Sequence, residues 1–356
     1  MRQNQHLKII VIYKMTIING IEIDHIVYIQ NEIKSAIQNN DPIEPYFHVI
    51  TVISNPCQFA QRYILARAFI KRMEHEPNTK LYVVELAHRD QKFYVTDSKN
   101  PRHLQICTNT APLWHKENLI NIGIKRLLPE NWKAVAWIDA DIEFENPDWA
   151  LDSLKILNGT RDIIQLFSHC IDMDINEDAM NIFASFGFQY TKKRVYSKTG
   201  VLKMWHPGYA WACTRKLYDR MGGLYDLSIL GAGDHNMALS LIDRGNISLN
   251  EHVHPDYLDS ILEFQSKLNN ARLGYTPGVI RHNFHGSKKN RRYAERWEIL
   301  VKHAYSPRLH VTKNDIGLLV PTEACPQELL DDILFYFKQR SEDEGVLQRM
   351  RELNLN

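Results

Sequence analysis

The stretch Ala134–Phe144 constrains this chain most, because an apolar run, Ala134–Ile138, stops at Asp139 and Asp141. It reads as a buried strand that ends in two carboxylates. Side chains two apart in an extended chain point the same way, so Asp139 and Asp141 share a face. They do so at the strand's C-terminal end, where open α/β sheets bind ligands. Two carboxylates held that close repel each other unless something positive lies between them. A divalent cation is the simplest candidate, and hard oxygen donors suit Mn²⁺ or Mg²⁺. Such a metal would naturally hold a diphosphate. The plain alternative is a strand end followed by a solvated acidic turn, since Asp-x-Asp is common by chance.

Around this stretch, strand and helix patterns alternate. His48–Ser54 is a β-branched run stopped by Asn55 and Pro56. Gln61–His75 has helical periodicity through Ile64, Leu65, Ala68, Phe69 and Met73. Leu81–Leu86 reads as a strand, as do the shorter Phe93–Val95 and Leu104–Cys107. Trp114–Leu128 reads as a helix ended by Pro129, and Asp162–Phe167 as a further strand. The alternation implies an α/β fold, with a mostly parallel central sheet flanked by helices. No Gly-x-Gly-x-x-Gly turn follows the first strand, which argues against a dinucleotide site. Asn39–Pro45 is a loop signal that closes off residues 1–46 as an N-terminal extension. The division expected is a domain over residues 47–320 and a helical C-terminal extension over 321–356, the latter read as peripheral.

Composition excludes some partners. With 356 residues, 44% hydrophobic and 24% charged, the chain suits one large domain or one domain with an appendage. The net charge of +1 gives no electrostatic reason to expect nucleic acid. No run approaches the ~20 apolar residues of a membrane span. Leu7–Tyr13 is apolar but short, contains Lys8 and lacks a cleavage site, so it is not read as a signal peptide. Five scattered cysteines without a Cys-x-x-Cys pair fit a reducing, cytoplasmic setting.

Four more clusters bear on chemistry. Ser54, Asn55 and Pro56, with Arg62 beyond them, form a strand-to-helix turn suited to a nucleotide, with Arg62 against phosphate. A turn with a solvated arginine explains them equally well. Lys116 and Asn121 lie on the polar face of the helix beginning near Trp114, and Lys116 could neutralise phosphate; an ordinary amphipathic helix is the plainer reading. Trp205, Tyr209 and Trp211, if exposed, would stack on sugar rings, although core aromatics are commoner. Asp234 follows the glycine turn Gly231–Gly233 and precedes a helical pattern. It reads as a helix N-cap, a general base, or both. Finally, Val279–His282 ends in a histidine, with His285 and a basic turn, Lys288–Arg292, following. Either histidine could complete a metal shell with Asp141, and Lys288 could hold phosphate. A solvated basic turn is the plainer reading of those charges.

Taken in order, these segments resemble the GT-A fold glycosyltransferases (the nucleotide-diphospho-sugar transferase fold), and within them the beta-1,4-galactosyltransferase group. The resemblance runs over roughly residues 48–295. It joins the Ser54–Pro56 turn, the His115–Gly123 helix, Asp139-Ala-Asp141, Gly222–Asp226 before Gly231–Asp234, and Ile280–His282. It implies a metal-dependent, inverting transfer of a sugar from a UDP-sugar to a hydroxyl of a glycan, protein or small molecule. It also implies that Asp141 and His282 bind Mn²⁺, that Asp139 lies nearer the ribose or a metal-bound water, and that Asp234 is the base. Two departures stand out. Gly233 replaces the glutamate of the family's Glu-Asp pair, and His285, in a His-Gly-Ser-Lys context like that of other GT-A families, competes with His282. The Ile- and Asn-rich composition resembles that of an AT-rich genome such as a large DNA virus, whose product would act in the host cytoplasm. The competing readings are a nucleotidyltransferase using the same carboxylate–metal site and a sugar-binding module with a decayed site.

Overall fold

The computed structural model describes residues 44, 46–293 and 295–345, and the backbone of a small antiparallel hairpin, Thr16–Ile18 with Ile21–Ile23. The rest of the expected N-terminal extension, residues 346–356 and the side chain of Lys288 lie outside the described residues.

The elements that carry the site follow in chain order. They are β1 (Phe47–Ser54), α1 (Ala60–Met73), β2 (Thr79–His88), β3 (His103–Thr108), α2 (Lys116–Leu127), β4 (Ala134–Ile138) and β5 (Ile142–Phe144). Next come β6 (Ile163–Gln165), β7 (His169–Met173), β8 (Ala179–Ser185), β9 (Trp205–His206), β10 (Ala210–Thr214), α3 (Gly233–Ser240), β11 (Leu273–Tyr275), β12 (Val279–His282), α4 (Glu295–Lys302) and α5 (Gln327–Gln339).

The central sheet has the order β11-β6-β10-β4-β1-β2-β3. It is mostly parallel, and β10 alone runs against both its neighbours, β4 and β6. Strands covered on both faces read as continuous apolar runs. Val49, Ile50, Val83, Val84, Val135 and Ala136 are accordingly fully buried in its middle. The helix α2 lies close against this sheet because Gly123 permits it; a Cβ there would come 2.8 Å from Val84 Cγ2.

A second sheet, β9-β8-β7-β12-β5, stands at the end where β4 terminates. Its register decides the site. Strand β5 starts at Ile142, one residue after Asp141, and pairs antiparallel with β12 so that His282 lies opposite Ile142. Strand β7 runs parallel to β12 and sets Asp172 opposite His282.

Several expectations need correction. Phe93–Val95 forms no strand. The backbone N–H groups of Tyr94, Val95 and Thr96 all donate to the Glu85 carboxylate, so they are spent on a side chain and cannot form a ladder. The helix expected from Trp114 begins at Lys116, and the one expected from Gln61 begins at Ala60. The C-terminal helix is not peripheral. The α5 residues Leu329, Leu330, Ile333, Tyr336 and Phe337 are buried, and the segment after it reaches back to α1. There Asp343 accepts from the free N–H groups of Ala60 and Gln61 at 3.0 and 2.8 Å, capping α1 from across the fold. No described helix is long and apolar enough to cross a membrane.

Candidate active site

A cavity of about 870 Å³ opens at the C-terminal ends of β1 and β4. Its size falls in the range of ligand clefts. Ser54, Asn55, Pro56, Arg62, Lys116, Asp139 and Asp141 line it, as do Trp205, Tyr209, Asp234, His282 and His285. Asn121 and Trp211 do not.

Asp141, His282 and His285 form one cluster, in which a carboxylate oxygen and two ring nitrogens lie within 4.8 Å of one another. Asp141 Oδ2 is 3.0 Å from His285 Nε2 and 3.7 Å from His282 Nε2, and the two nitrogens are 3.2 Å apart. Ligand atoms bound at about 2.0–2.2 Å to one ion stand roughly 3–3.6 Å apart, so these spacings fit a single small cation. Asp141 Oδ1 is buried without a hydrogen-bond partner, which is a second sign that the carboxylate awaits a ligand. Asp172 Oδ1 sits 2.6 Å from His282 Nδ1, an arrangement that turns Nε2 of that ring toward Asp141. His285 Nδ1 faces Glu342 at 3.8 Å. Asp141 and the two histidines are thus a candidate donor set for a divalent metal, in which His285 Nε2 also accepts from Arg291 Nη2 at 2.8 Å.

The electrostatics follow from burial and neighbours. Burial works against charge on Asp141, but His282 and His285 outweigh it and hold the carboxyl well below its usual range. Burial likewise opposes charge on His282, while Asp141 and Asp172 raise its pKa. Asp139 is not part of the cluster. Its Oδ1 is 2.5 Å from Lys116 Nζ. Burial lifts the Asp139 pKa, Lys116 opposes that, and Asp141 adds to the lift. Lys116 is desolvated too, yet Asp139, Asp234 and Glu117 together keep its pKa above the ordinary lysine value.

Asp234 reaches the cavity from a strained turn. Gly231 has φ +96° and Ala232 has φ +78°, both left-handed. The expectation of an N-cap is corrected, because Ala232 occupies the cap position and Asp234 lies inside the first turn of α3. Its Oδ1 accepts from the N–H of His235, and its Oδ2 lies 3.0 Å from where a Cβ on Gly208 would stand. Gly233 also has a local reason. A Cβ there would come 2.5 Å from Cδ of Glu117, a buried carboxyl that the sequence reading missed. Burial pushes the Glu117 pKa up, Lys116 opposes, Asp234 adds to the rise, and it stands at about 7.

Other expected residues serve the scaffold. Asn121 Nδ2 donates to Leu224 O, and its Oδ1 accepts from Leu224 N and the Tyr218 hydroxyl, so it pins the chain before the glycine turn. Trp211 is buried opposite Trp137 and donates to Pro207 O, so it cannot stack on a sugar. Trp205 and Tyr209 are also buried and offer the cavity only part of their rings. Tyr209, with φ +81°, stacks on His206 at 4.4 Å and leans on His282. Arg62 is engaged with Ser54 O and, through a two-pronged contact, with Glu342, which uses three of its five N–H donors. Arg340 also donates to Glu342. Nothing in the sequence pattern pointed to Glu342. Asp172, an acid within an apolar run, carried the one signal that would have found it.

No protein-family model matches the chain, and no curated protein does. Solved structures do. One is a Drosophila beta-1,4-galactosyltransferase 7 mutant in complex with manganese, UDP-Gal and xylobiose, with TM-score 0.31, 12% identity, and coverage of 56% of this chain and 62% of that one. Another is S. aureus TarS, with TM-score 0.34, 14% identity, and coverage of 84% of this chain and 74% of that one. The chain thus spans less than two thirds of the first of these.

Proposed function

We propose that this chain is a metal-dependent GT-A glycosyltransferase that moves a sugar from a UDP-sugar to an acceptor hydroxyl with inversion. The observation that carries the reading is the meeting of Asp141, His282 and His285 with the Lys116–Asp139 pair and Asp234 in one cavity. Asp141, His282 and His285 would hold the dication. Two imidazoles favour Mn²⁺ over Mg²⁺, which prefers oxygen donors. The chemistry such an ion supplies is neutralisation of charge on a leaving diphosphate.

The protein's own groups do the rest. The Ser54–Pro56 turn and the free donors of Arg62 bind the nucleotide, with Lys288 in the following basic turn as a further candidate. Lys116 holds Asp139 toward the ribose side and adds positive charge beside the diphosphate. Asp234 takes the acceptor hydroxyl's proton. The acceptor oxygen then bonds to the anomeric carbon on the face opposite the diphosphate, whose oxygen leaves with the bonding pair.

Incubation with a panel of nucleotide sugars and Mn²⁺, scored for released nucleoside diphosphate, tests the reading. Metal-dependent release of UDP is expected. Release of pyrophosphate from a nucleoside triphosphate and a sugar 1-phosphate, with no nucleoside diphosphate released from the nucleotide sugars, would make the chain a nucleotidyltransferase, and metal-dependent UDP binding without any turnover would make it a binding module.

A further inference from the structure

The cations around the cavity divide by what answers them. Glu342 answers Arg62 and Arg340, and Asp139 answers Lys116. Arg291 donates to the Tyr293 hydroxyl and to His285 Nε2, whereas Lys198 and Arg296, which line the cavity too, meet no carboxylate among the described residues. Among the described residues Lys198 Nζ donates to Ile247 O alone. Arg296 lies with its guanidinium 5.1 Å from the centre of the Tyr293 ring, and its Nε is buried with no hydrogen-bond partner. That Nε is closed off from solvent, so what Arg296 can present to a ligand is its charge and its terminal Nη donors.

Position says which substrate it serves. Arg296 Nη1 lies 3.0 Å from where a Cβ on Gly231 would stand, over the turn that delivers Asp234. His235, next to Asp234, feels both cations. Burial lowers its pKa, Asp234 opposes, and Lys198 and Arg296 lower it further, to about 4. At neutral pH its imidazole is uncharged, so Lys198 and Arg296 supply the local positive charge.

We propose that the acceptor carries an anionic group, a phosphate or carboxylate, near its reacting hydroxyl, and that Arg296 and Lys198 bind it beside Asp234. The inference rests on the glycosyl-transfer reading, in which Asp234 faces the acceptor. Arginine suits it, because its planar fork matches both oxyanions with two parallel hydrogen bonds.

The test uses the full chain saturated with UDP and Mn²⁺ and follows tryptophan fluorescence on titration with methyl phosphate, acetate or methanol. Methyl phosphate or acetate should bind and methanol should not; the tighter anion tells a phosphorylated from a carboxylated acceptor. Arg296→Gln should weaken that binding roughly 10- to 100-fold, as expected for a lost charged hydrogen bond, with UDP affinity unchanged. Arg296→Lys keeps the charge but loses the fork and should bind more weakly than wild type yet more tightly than Arg296→Gln, and an unchanged melting temperature in both variants excludes misfolding as the cause. The proposal is overturned if neither anion binds the UDP-loaded protein, if Arg296→Gln binds as wild type does, or if that variant weakens UDP as much as methyl phosphate. Failure of UDP to bind at all would instead sink the glycosyl-transfer reading, and the same titration on the free protein would still report the anion site.

Discussion

His285 Nε2 lies 3.0 Å from Asp141 Oδ2, so the turn after β12 and the end of β4 meet at one point. His282 joins them from β12 itself, whose pairing with β5 fixes its position. Asp141→Asn keeps the shape but removes the cluster's one negative charge. Mn²⁺ affinity should fall by more than the roughly 10–100-fold that loss of an outer-shell partner costs. Turnover should fall with it. A Mn²⁺ titration followed by electron paramagnetic resonance reads the affinity directly, and wild-type affinity in this variant would remove the cluster from consideration as a metal site.

Asp172 offers a graded test of the same site. It contacts His282 Nδ1 at 2.6 Å, on the side of the ring away from the Nε2 that faces Asp141. Asp172→Ala should therefore weaken Mn²⁺ binding about 10–100-fold without abolishing it. A loss as deep as that of Asp141→Asn would mean that Asp172 is itself a ligand.

Glu117 gives a pH dependence of stability. Its pKa is raised from 4.5 to about 7 in the folded protein, chiefly by burial. The folded state therefore holds this proton over a range where the unfolded chain has lost it. Between those two values stability falls as pH rises, and above pH 7 the full penalty of a buried charge remains, on the order of 3 kcal/mol. Glu117→Gln removes that penalty while keeping the shape. The variant should melt higher than wild type at pH 8, with the gain shrinking toward zero near pH 4.5. Melting curves at several pH values decide it, and a pH-independent difference would refute the assignment.

What the sequence made legible follows from how far each signal acts along the chain. The strands β1, β2 and β4 announced themselves through local β-branched and apolar runs, and the parallel sheet followed. Phe93–Val95 misled for a matching reason: its apolar pattern is a strand's, but its N–H groups go to Glu85 from another strand. For Trp205 and Trp211 the sequence left both a stacking role and a core role open, because burial is a property of the packed sheet, which no short motif records. Glu342 was invisible. Its partner Arg62 is 280 positions away, and a lone glutamate after a helix has no pattern that predicts such a contact.

Asp234 can be tested cleanly because the structure removes its competing role. The cap position of α3 belongs to Ala232, and among the described residues the Asp234 side chain accepts one hydrogen bond, from the adjacent His235 N–H. Asparagine can make that same contact through its carbonyl oxygen, so Asp234→Asn should leave the melting temperature and UDP affinity nearly unchanged. It cannot accept a proton at neutral pH. If Asp234 is the base, kcat should fall roughly 10²- to 10⁴-fold. Melting temperature, UDP binding and turnover need to be measured on one preparation, so that a drop in kcat cannot be charged to misfolding. Near-normal turnover would strip Asp234 of its role and the inverting mechanism of its base. A retaining route, which needs no base at the acceptor face, would then fit the cavity better.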